Sequence, residues 1–214
     1  MKLPLPYLLL GAIAVPGFAH ANNLIQNGSF ENFTLSPSYG FDLPDSWTFT
    51  AGDPSASLLT VDGPGTTGGS GGTAEDGSFF VAFGAPLSAL DTISQTASNG
   101  PGQFILSFWV DTDFSAGSPL ELTASWGSTQ LLDLTAPLSA GGWNEYAFTV
   151  ASSGAGTLSF SGLDDNGYTL LDNVQLKSVP DEGSGWFMTG ASLLALAAFA
   201  AGARSRRPAH LPIP

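Results

Sequence analysis

The chain has 214 residues, a formal net charge of −13, 43% apolar residues and no cysteine. Residues 22–179 hold sixteen of its eighteen acidic residues and neither of its histidines, with Lys177 as the one basic residue. That inventory excludes thiol chemistry, Ser-His-Asp and Cys-His triads, zinc–histidine hydrolysis, arginine phosphate clamps and a cation-rich nucleic-acid surface, leaving an Asp/Glu pair acting on glycosides as the one common hydrolysis still open.

The first element in chain order is a secretory signal peptide over residues 1–21. Met1-Lys2 is a minimal positive start, 3–18 is apolar, and Ala19-His20-Ala21 is a small-x-small cleavage site. Pro4 and Pro6 do not suit a permanent membrane helix. Residues 22–178 follow as one domain, long enough for a single core without disulfides.

Within that domain the period is two, broken by Gly, Pro, Asn and Asp, which predicts strands and turns. Strands are expected near 23–26, 29–33, 47–51, 57–61, 78–83, 91–97, 102–111, 119–126, 128–133, 143–150, 156–162 and 169–177. Residues 62–78 contain Gly68-Gly69-Ser70-Gly71-Gly72 and predict a flexible loop. Many short strands at even spacing point to an all-β sandwich or barrel. Parity predicts the buried faces: Phe104, Leu106, Phe108 and Val110 on one strand, Leu120, Leu122, Ala124 and Trp126 on the next, Tyr146, Phe148 and Val150 on a third.

Asn23-Leu24-Ile25-Gln26-Asn27-Gly28-Ser29-Phe30-Glu31 resembles the opening strand of galactose-binding-like domains and carbohydrate-binding modules. Leu171-Asp172-Asn173-Val174 followed by Leu176 resembles their closing strand. Pro44-x-x-Trp47, Ile93-Ser94-Gln95 and Trp143-x-x-Tyr146-x-Phe148 fall between them in the family's order. The resemblance implies a jelly-roll β-sandwich with adjacent ends. Asp172 shares parity with Leu170, Val174 and Leu176, which predicts a core-side carboxylate in need of compensation. The resemblance implies a structural calcium held by Glu31 and Asp172; backbone N–H donors are the alternative. Asp111-x-Asp113-x-Ser115 starts like a calcium loop, but Ala116 and Leu122 occupy positions that an EF-hand gives to Gly and Glu.

Trp109 is the tryptophan with outer parity. Asp111 lies beside it, and Thr123, Ser125 and Glu145 have outer parity on later strands. An aromatic plate flanked by carboxylates and hydroxyls is a common way to hold a sugar ring, so Trp109, Asp111 and Glu145 form the candidate sugar site. The alternative is a ring packed under a loop.

The tail has three parts. Val179-Pro180-Asp181-Glu182-Gly183-Ser184 opens a hinge over 179–185, residues 186–203 are apolar and just long enough for a single transmembrane helix, and 204–214 begins with Arg204, Arg206 and Arg207. This order resembles the sorting signals of bacterial PEP-CTERM proteins, in the variant with Val179, Pro180, Asp181, Gly183 and Ser184. The resemblance implies an exosortase-type transpeptidase as partner, passage through the inner membrane, and delivery to the cell surface or matrix. A plain C-terminal anchor is the alternative. Taken together, the sequence predicts an exported, non-catalytic protein that associates with extracellular polysaccharide and binds no nucleic acid. A purely structural matrix protein and a carboxylate-pair glycosidase stay open.

Overall fold

The computed structural model describes residues 22–66, 70, 72–85, 90–112, 119–136, 138 and 142–179. Every regular element among them is a strand, and no helix there is long and apolar enough to cross a membrane. The expected signal segment 1–21, the hinge beyond Val179, the span 186–203 and the tail 204–214 lie outside the described residues.

A short hairpin comes first, β1 (Phe33–Leu35) against β2 (Asp42–Pro44). Then follow β3 (Thr48–Thr50), β4 (Leu59–Asp62), β5 (Phe80–Phe83), β6 (Asp91–Thr112), β7 (Leu120–Trp126), β8 (Thr129–Leu134), β9 (Asn144–Asp164) and β10 (Thr169–Ser178). Two pairs of expected strands are each one long strand. Those expected at 91–97 and 102–111 are the arms of β6, and those at 143–150 and 156–162 are the arms of β9.

These two strands run antiparallel along their whole length and fold over together where Gly100 faces Gly154. The register slips between Ser98 and Gly100, and Gly100 has φ 66°, a conformation that a side chain would strain. The fold-over divides one hydrogen-bonded sheet into two layers. The first contains β3, the 91–98 arm of β6, the 154–164 arm of β9, β7 and β8. The second contains β4, β5, β10, the 103–112 arm of β6 and the 144–151 arm of β9.

The inner faces meet as parity predicts. Leu106, Phe108, Val110, Leu122 and Ala124 are wholly buried, and Trp126 nearly so. Phe108 of the second layer meets Phe160 of the first edge-on, with ring centroids 4.9 Å apart. Trp47 packs on Phe160 at 6.1 Å and on Phe30 at 5.6 Å. Each such buried ring contributes roughly 1.5–3 kcal/mol from its removal from water. A second, smaller cluster of Phe80, Ala82 and Leu170 lies apart from this core, packed against Ala74, Trp143 and Tyr168.

The opening motif is not a strand. Residues 23–31 form turns in which Asn27 and Phe30 have φ of 50° and 54°. They still lie along the closing strand. Leu24 N–H donates to Leu176 O at 2.9 Å, and Val174 N–H to Gly28 O at 2.9 Å. Asn23 accepts from the N–H of Leu176 and of Ile25 and donates to Val174 O. The ends of the domain are therefore adjacent, clasped by side chain and turn instead of by a ladder.

Candidate functional site

The register of β10 corrects the expected position of Asp172. Leu171 faces Val110 and Leu176 faces Leu106, both core pairs, but a bulge between Asp172 and Gln175 inserts an extra residue. Asn173 takes φ 47° there, a conformation that Asn tolerates. Parity is broken at the bulge, so Asp172 faces Trp109 and shares its outer face. It is nonetheless 0% exposed, because residues 75–76 cross over it.

That loop supplies the compensation. Glu75 N–H and Asp76 N–H donate to Asp172 Oδ2 at 2.8 and 2.9 Å, and Asn173 N–H to Oδ1 at 2.6 Å. Asn173 also donates through Nδ2 to Glu75 Oε2 at 2.6 Å. Burial pushes the Asp172 carboxyl up to about 7, with the Asp76 charge adding, against the pull of the three N–H groups. Glu31 holds the far end of the same loop, its Oε1 accepting from Ser78 N–H at 2.8 Å and Phe79 N–H at 2.9 Å. Ser29 Oγ donates to Asp76 Oδ2 at 2.6 Å.

Calcium is tested by this donor set. The groups that converge on Glu31 and Asp172 are N–H, whose positive ends face the carboxylates and oppose a cation; calcium asks for oxygens. Among the described residues no group of three or more His, Asp or Glu is arranged to hold a metal ion. As placed, Glu31 and Asp172 do not fit a calcium between them, and the geometry is that of backbone donors.

The sugar-site residues are brought together in part. Trp109 faces Glu145 across β6 and β9 on the outer side of the second layer, and Asp111 lies two residues along on that side, facing Leu170. Trp109 and Asp111 are half-buried and Glu145 is exposed. Asp111 Oδ1 accepts from Thr112 N–H at 2.7 Å. Thr123 and Ser125 do not join them. They lie on β7, in the first layer, on the opposite outer face of the sandwich. Common parity predicts a common face only within one layer.

Two aromatic features escape a parity reading. Trp143 packs on Phe80, centroids 6.0 Å apart, and its Nε1–H donates to Thr73 O at 2.9 Å, which ties residues 72–74 over the outer face of the second layer. Tyr39, Phe41 and Phe49 form a cluster on the hairpin and β3, Tyr39 stacking on Phe41 at 5.4 Å and meeting Phe49 edge-on at 5.1 Å. Neither is coded by alternation, since each depends on where a loop lands.

No family model matches the chain, and no curated protein matches it. Solved structures do. The K3 cleaved adhesin domain of Lys-gingipain from Porphyromonas gingivalis W83 is similar at TM-score 0.55 and 18% identity, covering 74% of this chain and 98% of that one. TmCBM61, solved in complex with β-1,4-galactotriose, is similar at TM-score 0.50 and 18% identity, covering 74% of this chain and all of its own. A cyclase from Fischerella sp. TAU, solved with 4-(1H-indol-3-yl)butan-2-one, is similar at TM-score 0.51 and 17% identity, covering 74% and 97%. The β-sandwich is thus a shared fold. It serves an adhesin domain, a galactotriose binder and a cyclase, so it does not by itself choose a function.

Proposed function

We propose that this chain is an exported, non-catalytic protein that associates with extracellular polysaccharide through the outer face of its second layer. The observation that carries the reading is the placement of Trp109 on that face, with Glu145 directly opposite on the neighbouring strand. Ring and carboxylate are set on paired strands, not on loops, so their spacing is held by the sheet. An indole face stacks on the C–H face of a sugar, and the carboxylates of Glu145 and Asp111 accept its hydroxyls. The likeness of the fold to TmCBM61 supports the reading. The tail belongs to the same proposal: Val179 to Ser184 would be recognised by an exosortase-type transpeptidase, leaving the sandwich at the cell surface.

The test is intrinsic tryptophan fluorescence of the full chain titrated with short glycans, β-1,4-galactotriose among them. The wild type is expected to show a saturable change that Trp109→Ala weakens and shifts to higher glycan concentration without moving the Tm. The affinity should fall by roughly two- to tenfold, matching an aromatic contribution of about 0.5–1.5 kcal/mol. Unchanged affinity in Trp109→Ala, or a drop in its Tm of several degrees, would overturn the assignment. Release of reducing sugar from any glycan would revive the carboxylate-pair glycosidase.

A further inference from the structure

The outer face of the first layer has a different chemistry from that of the second. Thr50, Thr92, Ser161 and Thr123 stand side by side in register across β3, β6, β9 and β7. One pleat away, Thr48, Ser94, Ser159 and Ser125 make a parallel row. Paired strands lie about 4.8 Å apart, so each row is an evenly spaced line of hydroxyls. Thr48 and Thr50 are exposed and the other six are half-buried. Neither row contains a charged side chain; the acids of this face stand at its β7–β8 end, where Asp133 pairs with Thr123 and Glu121 lies one pleat away.

Two hydroxyl pairs on this face are linked, one in the first row and one a further pleat along, and keep capacity to spare. Thr92 Oγ1 and Ser161 Oγ share a hydrogen bond at 2.8 Å, and Thr96 Oγ1 and Thr157 Oγ1 another at 2.9 Å. Each hydroxyl has one hydrogen to donate and two lone pairs, so a pair that shares one hydrogen retains a donor and acceptors for a third group. The side chains are thereby oriented before any ligand arrives, which lowers the entropy cost of binding. At the β3 edge the face runs into a cleft of about 440 Å³ lined by Ser46, Thr48, Ser94, Thr96 and Ser98 together with Gln26. It is open because β3 pairs only with Thr92–Ser94. Gln95 is tied across it, accepting from Gln26 N–H at 2.7 Å and donating to Gln26 O and Ser46 O at 2.9 and 3.0 Å.

We propose that these hydroxyl rows and the cleft at their edge hold a neutral polysaccharide chain, as a second surface opposite Trp109. Charge selects the occupant. The rows carry no charge to attract a polyelectrolyte, and Asp133, Glu121 and the acidic domain around them repel an anionic one. An apolar partner would strip water from the hydroxyls without replacing their hydrogen bonds. A second copy of the chain would bring its own excess of negative charge to a face with nothing to neutralise it. A neutral glycan offers a donor and acceptor at every hydroxyl and matches the rows group for group. The inference rests on the reading of the chain as a glycan binder, but it uses the other face and a polymer instead of a short oligosaccharide.

The experiment is affinity electrophoresis of the full chain in gels containing β-1,4-galactan, xylan or a mixed-linkage β-glucan, with alginate as the acidic control and polysaccharide-free gels as the reference. At least one neutral polymer is expected to retard the wild type, equally at low and high salt, because no ion pair is screened. Thr92→Val with Ser161→Ala removes two hydroxyls at nearly constant volume, and Ser159→Glu places a charge in the second row. Both variants should weaken retardation by about fivefold or more with unchanged Tm, a loss on the scale of one or two hydrogen bonds. Trp109→Ala removes the contribution of the other face, and the retardation that remains in it should fall further with either hydroxyl change. Equal retardation of wild type and both hydroxyl variants overturns the proposal, as does loss in Trp109→Ala alone, which would assign the polymer to the other face. A dimer that Ser159→Glu converts to monomer would show the face to be an interface between copies and overturn it too. Failure of every polymer to retard the wild type overturns it while leaving the fluorescence test of Trp109 standing.

Discussion

Aspartates pin the loops of this domain. Asp62, Asp91 and Asp172 are all buried, and each closes a loop by accepting backbone N–H groups. Asp91 takes Gly52 N–H, Leu58 N–H and Ser57 Oγ. Asp62 takes Gly63 N–H, Ser70 N–H and the hydroxyls of Ser70 and Thr66. Burial pushes the Asp62 carboxyl up, but those four bonds together outweigh it and hold the group below its ordinary value. At Asp172 burial wins, and its value of about 7 lies above the usual 3.8. The folded form then holds the proton more tightly than the unfolded form. The resulting stabilisation is complete below about 3.8 and lost as pH rises through about 7. Melting curves of wild type and Asp172→Asn across that window should therefore converge or cross as pH rises, with the flatter profile in the variant. Parallel profiles would assign the pH dependence elsewhere. Asp172→Ala leaves three N–H groups without their acceptor and should cost about 1–3 kcal/mol above the titration of the carboxyl, and more at acid pH where the wild type gains from holding its proton. Calcium and chelator are expected to leave the Tm of the wild type unchanged; a Tm that climbs with calcium would show that the loop rearranges to admit a metal.

At the scale of elements, the opening segment shows where sequence reading stops. Its Asn-Gly pair at 27–28 is a turn signal in its own right, yet apolar residues on both sides suggest strands. The structure sides with the turn because Gly28 passes so close to the closing strand that a Cβ would sit 2.0 Å from Val174 O. Gly28→Ala must push the clasp off β10. Asn23→Ala keeps the backbone path but removes three hydrogen bonds. It should lower stability by about 1–3 kcal/mol, each neutral bond contributing roughly 1 kcal/mol. Hydrogen exchange at Leu176 and Val174 is the sensitive readout, since both amides are held by this segment; protection unchanged in Asn23→Ala would mean that the clasp adds nothing. The strands were legible because alternation shows which side chains must leave water. The fold-over of β6 and β9 was not, because Asn99-Gly100-Pro101-Gly102 reads equally well as a hairpin loop or as a bend within one strand.

For the whole molecule, the charge distribution and the two ends set the context. A domain with sixteen acids and one lysine repels further negative charge and resists self-association. The tail proposal predicts a surface-released form whose C-terminus falls within 179–184, readable by mass spectrometry. Recovery from the host membrane of intact chain ending at Pro214 would favour a permanent anchor. Sequence alone determined what the molecule is made to avoid and how its strands face: no histidine, cysteine or arginine chemistry in the domain, an all-β core, and inner faces built on Phe108, Leu122 and Val150. These follow from composition and from period two, which are local. Only the tertiary structure decided which outer residues are neighbours. Trp109 meets Glu145 because β6 pairs with β9, Thr123 and Ser125 stand on the far side because the sheet folds over at Gly100, and Asp172 leaves the core because one bulged residue breaks the parity of its strand.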